Sequence, residues 1–332
     1  WWADALDIVM PVMTKMYRLT GQEMYLDKLY DNFAWADSLM FDSVENLYYR
    51  DGKYIFPKVK TKTGGKSFWA RGDGWVLAGL AKVLADMPTD YKKRKLFVDR
   101  FQKLAKGVAA CQRPGGYWSR SMLCEEDAPG METSGTAFFT YGMMWGVNHG
   151  YLSREEYGEV IEKGWTYLSE HALQADGSIG FVQPIGEKPD PTKTVDSHSQ
   201  APFGTGAWLL AACERVRYMD ALAEAEPLTI EVTNNSGEMR REVVELSVAD
   251  VFAKMKTQGG RQFVILDKSG VEQPYQLTRD GKVLMSVAVR PWSTVSFTVK
   301  RGEPRFYKTA VYGKHWPNRE DDLAWETDRA AW

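Results

Sequence analysis

Apolar residues in the first two thirds of the chain recur at the spacing of an amphipathic α-helix. The pattern predicts seven helices, over about residues 2–17, 25–39, 69–84, 91–111, 133–145, 153–171 and 204–218. Loops rich in glycine, proline and tryptophan separate them, notably residues 113–118 and 177–184. Helical hairpins in this rhythm pack side by side into a toroid or solenoid, and one set of loops then gathers at one mouth. A ligand pocket is expected at that mouth.

After Pro227 the apolar residues fall into short runs that favour β-strands. Residues 228–232, 262–266 and 294–299 are predicted strands, and turns are predicted at residues 234–236 and 280–282. We therefore predict a helical domain over residues 1–224 and a smaller β-rich, sandwich-like domain over residues 225–303. Residues 304–332 are interpreted as the start of a truncated C-terminal region.

Composition narrows the range of partners. The net charge of −2 gives no support for binding to nucleic acid or to a membrane surface. The 3 cysteines and 4 histidines show no metal-ligand spacing, so neither a metal nor another cofactor is predicted. Aromatic residues reach 13%, which is common in proteins that stack sugars but also fills large helical cores. Oligomeric state and compartment, periplasm or cytoplasm of a bacterium, are left open.

The densest cluster of chemical groups lies in residues 68–75, Phe-Trp-Ala-Arg-Gly-Asp-Gly-Trp. Arg71 and Trp75 are four residues apart at the start of a predicted helix and therefore share one face. A guanidinium beside an aromatic wall suits a ligand that is part carboxylate and part sugar ring. A helix start with a structural arginine and two core tryptophans explains the same residues equally well.

Four motifs in a fixed order carry a resemblance to a known family. They are residues 1–6 (Trp-Trp-Ala-Asp-Ala-Leu), 68–75, 132–137 (Glu-Thr-Ser-Gly-Thr-Ala) and 204–211 (Gly-Thr-Gly-Ala-Trp-Leu-Leu-Ala). Over residues 1–222 the chain resembles the unsaturated glucuronyl and rhamnogalacturonyl hydrolases of glycoside hydrolase families 105 and 88, more closely family 105. The resemblance implies a mainly α fold, a partial (α/α)6 toroid from which roughly the first five helices are missing.

The resemblance also implies a reaction and a partner. Family members remove a 4,5-unsaturated uronic acid from the non-reducing end of lyase-generated oligosaccharides. One aspartate protonates the C4=C5 bond, water adds at C5, and the resulting hemiketal falls apart. An acid with a raised pKa suits this chemistry. The expected partner is therefore an unsaturated uronide oligosaccharide.

Positions that match the family's motifs give the candidate catalytic residues. Asp4 matches the catalytic acid, and the indoles of Trp1 and Trp2 would remove water from it and keep it protonated. Asp51 lies where the family often has a histidine and is predicted to serve in activating water. From the residues alone, an ordinary carboxylate at a helix N-terminus is the favoured interpretation of Asp4. For Asp51, a turn residue before Gly52 is an equal alternative. A second aspartate that the family supplies from an earlier helix is not in this chain.

The candidate substrate-binding residues come from the later motifs and loops. Arg71 and Trp75 match the pair that contacts the uronate carboxylate and stacks on its ring, and Asp73 lies where members more often have asparagine. Trp118 is predicted as a further stacking wall, with a core tryptophan as the alternative, and Glu132 as a sugar contact, with a helix cap as the alternative. The predicted set is completed by Arg50 and Trp69.

Two other function classes stay open at this point. An ordinary inverting glycosidase or a polysaccharide lyase uses the same helical toroid, and a lyase would create the double bond that the favoured enzyme consumes. A carbohydrate-binding protein with the toroid as a non-catalytic scaffold is the alternative outside enzymes.

Overall fold

The chain divides into two compact units, residues 1–221 and 222–332, each with its own hydrophobic core. The computed structural model describes residues 2–220, 227–255, 263–302, 304–305, 311–316 and 322–327 of the 332-residue chain. Trp1 and the predicted domain boundary at residues 224–225 lie outside these described residues. Within the described residues, no helix has both the length and the apolar character that a membrane crossing requires.

The helices of the first unit form two layers. In chain order, the first, third, fifth and seventh helices pack against one another in series. The second, fourth and sixth helices each pack on the helix before them. This arrangement is an arc of an (α/α) toroid, as predicted. Its described helices are α1 (Ala3–Thr20), α2 (Met24–Met40), α3 (Ala70–Asp86), α4 (Arg94–Ala109), α5 (Thr133–Asn148), α6 (Arg154–Tyr167) and α7 (Pro202–Asp220). A π-helical turn, Leu168–Ala172, continues α6 to the predicted end near residue 171.

Glycines allow the inner helices to approach closely. A Cβ added to Gly79 of α3 would lie 2.9 Å from the backbone oxygen of Leu6 on α1. A Cβ added to Gly142 of α5 would lie 2.7 Å from Cγ of Leu77 on α3. The inner layer therefore depends on positions that have no side chain.

A short hairpin places the connection between α2 and α3 against the start of α1. Strands β1 (Phe41–Asp42) and β2 (Leu47–Tyr48) pair antiparallel. Beyond β2, the Ala3 N–H donates to the Arg50 carbonyl at 2.8 Å, and Trp2 forms an isolated antiparallel bridge with Asp51. Residues far apart in the sequence therefore meet at the N-terminus of α1.

The second unit is a sandwich of two antiparallel sheets with one shared core. The three predicted strands are confirmed as β3 (Leu228–Asn234), β5 (Phe263–Asp267) and β9 (Ser293–Arg301), and Gly281 takes a φ of 80° in the predicted turn. The periodicity did not predict the short helix α8 (Val248–Lys254) or the long strand β8 (Lys282–Val289), which is central in its sheet. One sheet has the order β3 (Leu228–Asn234), β9 (Ser293–Arg301), β5 (Phe263–Asp267), β6 (Glu272–Gln273), and the other β4 (Arg240–Ser247), β8 (Lys282–Val289), β7 (Gln276–Leu277).

A further antiparallel hairpin follows the sandwich strands in the second unit. Its strands are β10 (Val311–Trp316) and β11 (Asp322–Thr327). It lies in the stretch interpreted from the sequence as the start of a C-terminal region.

Candidate active site

The two predicted catalytic carboxyls lie on either side of one guanidinium. Arg50 Nη1 donates to Asp51 Oδ2 at 2.5 Å, and Arg50 Nε lies 3.5 Å from Asp4 Oδ2. Asp51 Oδ1 also accepts the Lys53 backbone N–H at 2.7 Å. Asp51 therefore has both roles, since Oδ1 stabilises the turn and Oδ2 contacts Arg50. The hydrogen bond between residues 3 and 50 brings these groups into a single cluster.

Burial changes the protonation of Asp4. Loss of hydration raises the pKa of Asp4, against the lowering effects of its own backbone N–H, of Arg50 and of Arg71. Oδ2 of Asp4 is buried and accepts no hydrogen bond. The N-terminal end of α1 would favour the charged carboxylate, yet desolvation is the larger effect. Asp4 can therefore keep its proton at a pH where an exposed aspartate has lost it.

A cavity adjoins this cluster. Its volume is about 490 Å³, within the usual range of small-ligand pockets, and it is lined by Trp2, Arg50, Asp51, Gly52 and Lys53. The indole of Trp2 is 47% exposed and has the Arg50 guanidinium carbon 5.8 Å from its ring centre. An exposed indole beside a cation offers a stacking surface for a sugar ring. The predicted contribution of Trp1 lies outside the described residues.

Arg71 fastens a loop in this structure. Its Nη1 and Nη2 donate to the carbonyl oxygens of Gln183 and Pro184 at 2.9 and 2.8 Å. The rings of Trp69 and Phe203 each lie 4.5 Å from its guanidinium carbon. Trp69 Nε1 donates to Gln183 Oε1 at 2.8 Å. Arg71 and Trp69 are both buried, and their contacts with a uronide stay predictions.

Asp73 and Trp75 do not line the cavity beside Arg50. The carboxyl of Asp73 is fully buried; its Oδ1 accepts the Tyr48 backbone N–H at 2.7 Å, and its Oδ2 has no hydrogen-bond partner. Burial raises the pKa of Asp73 well above its ordinary value, although the Tyr48 N–H acts in the opposite direction. Trp75 packs on Phe138, with ring centres 4.4 Å apart. The structure thus places the Asp73 carboxyl in the core, away from the cavity beside Arg50, and its contact with a sugar stays a prediction.

For Trp118 and Glu132 the structure favours the alternatives to sugar contact. Trp118 is completely buried, and its indole N–H donates to the Val108 carbonyl at 2.7 Å. Glu132 is also completely buried and caps α5, because its carboxylate accepts the N–H groups of Ser134 and Gly135 at 2.9 and 2.7 Å. Neither side chain presents a free surface to a ligand.

Sequence reasoning missed the residues that follow the Arg71 contact. Glu187 Oε2 lies 3.8 Å from Arg50 Nη1, beside the cluster that holds Asp4. The sequence marked residues 177–184 only as a loop rich in glycine and proline. Glu187 comes near Arg50 because Arg71 binds the carbonyl oxygens of Gln183 and Pro184. Such contacts between residues distant in sequence leave no local sequence pattern. Within the described residues, no group of His, Cys, Asp and Glu is arranged to hold a metal ion.

Comparisons with known proteins point to one family. The profile described as Glycosyl Hydrolase Family 88 matches residues 1–219. A profile described as a domain of unknown function (DUF4861) matches residues 232–332. The "Unsaturated 3S-rhamnoglycuronyl hydrolase" of Formosa agariphila is 37% identical over 218 residues, which cover 64% of this chain and 57% of that protein.

Two solved structures are more similar in sequence. One, described as a polysaccharide lyase, is 62% identical with a TM-score of 0.65. The match covers 67% of this chain and 63% of that protein's chain. Another, a family 88 glycosyl hydrolase from Bacteroides vulgatus, is 54% identical with a TM-score of 0.64 and covers 65% of this chain and 62% of its own. The chain thus spans less than two thirds of the length of each of these relatives.

Proposed function

Because this chain belongs to glycosyl hydrolase family 88, we propose that it removes a 4,5-unsaturated uronic acid from the non-reducing end of lyase-generated oligosaccharides. The observation that supports this most directly is the Asp4 carboxyl. It is desolvated, its pKa is raised, and it lies against the same guanidinium that lines a cavity of about 490 Å³. A hydration that begins with proton transfer to carbon needs such an acid.

The proposed reaction needs one proton donor that is then restored. Asp4 gives its proton to C4 of the C4=C5 bond, and the ring oxygen shares the positive charge that forms at C5. Water adds at C5, and the Asp4 carboxylate takes the proton that this water loses. The product is a hemiketal, which opens and releases the remaining sugar. Asp4 ends the cycle protonated, so the enzyme consumes only water.

The remaining residues of the cluster position the substrate in this proposal. Arg50 is the more accessible guanidinium, with 17% of its side chain exposed, and would pair with the uronate carboxylate. Trp2 would stack on the sugar ring. Asp51 orients Arg50 through their 2.5 Å contact, and its predicted part in activating water belongs to the same proposal. Arg71 contributes by fastening the loop at residues 183–184.

Relatives suggest which oligosaccharides to test first. The Formosa agariphila protein is named for rhamnoglycuronyl substrates. We therefore propose a disaccharide with an unsaturated uronate linked to rhamnose as the first substrate. Unsaturated disaccharides with other second sugars serve as comparisons.

Loss of the ultraviolet absorbance of the conjugated double bond tests the reaction. We expect wild-type protein to remove this absorbance and Asp4→Asn to be slower by about 10²- to 10⁴-fold, the usual contribution of a general acid. Asp7→Asn is a matched control: Asp7 is a buried aspartate on the same helix, and it pairs with Lys82 at 3.0 Å instead of with Arg50. Equal rates for wild type and Asp4→Asn would contradict the assignment of Asp4.

A polysaccharide lyase is the second candidate, because one similar structure carries that description. A lyase removes the C5 proton and creates the double bond, so absorbance would rise on intact polysaccharide. Binding without any change in absorbance would support the non-catalytic scaffold instead.

A further inference from the structure

The loop that follows Gln183 brings a third carboxyl to Arg50. Glu187 Oε2 lies 3.8 Å from Arg50 Nη1, and burial together with the nearby Glu187 carboxylate raises the pKa of the Tyr54 hydroxyl to about 12. Asp4 and Asp51 are the other two carboxyls in contact with this guanidinium. One cation thus serves three carboxyls that come from three separate segments of the chain.

Buried contacts fix the part of the loop that precedes Glu187. Arg71 donates to two of its carbonyl oxygens, and Trp69 donates to the Gln183 side chain. The Gln183 N–H donates in turn to Glu132 Oε1 at 3.3 Å. Since these contacts come from the starts of α3 and α5, the position of Glu187 is built into the helical frame.

Arg50 is divided unequally among its partners. Its Nη1 contacts both Asp51 and Glu187, at 2.5 and 3.8 Å. Its Nε lies 3.5 Å from Asp4 Oδ2, and neither of these two atoms makes a hydrogen bond. The charges of Arg50, Arg71 and Asp51 act on the pKa of Asp4. Glu187 contacts Arg50 at Nη1, not at the Nε that lies near Asp4. The guanidinium therefore makes its one short contact with Asp51 through Nη1, the nitrogen that Glu187 also approaches, and only a longer contact with Asp4 through Nε.

We propose that Glu187 is a positioning residue, which draws Arg50 away from Asp4 and so keeps the Asp4 carboxyl protonated for its reaction. This inference rests on the proposed function, in which Asp4 is the acid. Removing the charge of Glu187 would leave Arg50 free to pair with Asp4, and it would also remove a nearby negative charge. Both changes favour the ionised form of Asp4.

The pH dependence of the reaction tests the proposal through Glu187→Gln. Activity needs protonated Asp4, so it falls as pH rises through the pKa of Asp4. We expect the alkaline limb of kcat/KM in Glu187→Gln to move to lower pH by about half a unit or more. The reason is that loss of the Glu187 charge frees Arg50 to stabilise the ionised form of Asp4. Glu187→Asp keeps the charge and should restore much of the shift. Since 49% of the Glu187 side chain is exposed, the measurement belongs at low ionic strength.

Asp190→Asn is the matched control for charge. Asp190 lies in the same loop, but its Oδ1 accepts from Thr192, at 2.9 Å from the backbone N–H and 2.7 Å from the hydroxyl. This variant removes one carboxylate without touching Arg50. An equal shift in both variants would overturn the proposal, because it would show a general effect of charge.

A readout without substrate separates this proposal from the proposed function. The Asp4 carboxyl can be titrated by NMR in protein labelled with ¹³C-aspartate and assigned by its absence in Asp4→Asn. A lower Asp4 pKa in Glu187→Gln supports the role of Glu187 even if no unsaturated uronide is consumed. An unchanged Asp4 titration overturns it even if the hydrolase activity is found.

Discussion

Asp4 and Asp73 lose hydration in different surroundings. Asp4 lies 3.5 Å from Arg50, which lines a cavity, whereas the carboxyl of Asp73 is closed in the core with only the Tyr48 N–H as partner. Burial raises the pKa of both carboxyls. Only Asp4 combines a retained proton with neighbours that a ligand can reach, so a raised pKa identifies an acid only together with access.

Helical spacing within the motif places Asp73 on a different face of the helix from Arg71 and Trp75. Residues two apart on a helix point in very different directions, whereas Arg71 and Trp75 share a face. The sequence therefore already held a signal against Asp73 as a ligand contact. No comparable signal exists for Trp118, because whether a loop tryptophan covers the core or faces a ligand depends on contacts distant in sequence.

The buried Asp73 leads to a prediction about stability and pH. The folded state keeps the Asp73 proton at pH values where the unfolded chain, with a pKa near 3.9, has lost it. The contribution of Asp73 to stability therefore falls as pH rises from about 4 toward the folded pKa, by up to about 1.4 kcal/mol per unit. Asp73→Asn keeps an acceptor for Tyr48 and removes this dependence. Unfolding by denaturant at several pH values should show an advantage of Asp73→Asn that grows with pH; a constant difference would contradict it.

At the level of helices, the amphipathic pattern predicted seven positions that the structure confirms. Helix ends followed known signals, such as Gly21 in the left-handed region at the end of α1, with φ 70°. The pattern did not give the distance between the helices. That distance depends on which glycine contacts the backbone of which neighbouring helix. The two helices are distant in sequence, so the pattern within one helix does not predict the contact.

Two glycine substitutions test the packing of the inner layer. Gly79→Ala places a methyl group 2.9 Å from the Leu6 backbone oxygen and should cost about 1–3 kcal/mol. Gly206→Ala, in α7, meets nothing within 4 Å and should stabilise by about 0.4–1 kcal/mol, because alanine restricts the unfolded chain. Chemical denaturation measures both. Stabilisation of equal size in the two variants would show that helix propensity, and not contact with α1, sets the result.

Across the whole molecule, the sequence predicted two kinds of structure and roughly where one replaces the other. It assigned Asp4, Arg50 and Asp51 to one site, and the structure brings these three side chains together. It did not reveal that Arg71 and Trp69 fasten residues 183–184. Motifs report which residues are present, whereas the carbonyl oxygens that they contact carry no sequence signal.

Separate cores predict separate responses to mutation. Ile265 is completely buried in the core of the second unit. Ile265→Ala should lower the stability of that unit by about 2–5 kcal/mol. The rate of uronide hydration should stay unchanged, because the proposed catalytic groups lie in the first unit. Calorimetry of the full chain beside the absorbance assay checks both parts, and a parallel loss of activity would show that the two units depend on each other.

The contact between Gly79 and the backbone of Leu6 has a consequence for how this sequence can vary. Leu6 is two residues from Asp4 on the same helix, so any side chain at position 79 displaces the segment that carries the proposed acid. A substitution at position 79 is therefore expected to shift Asp4, although Gly79 does not line the cavity beside Arg50. The space for a side chain there is set by two backbones, so a larger residue requires a compensating movement of α1 or α3.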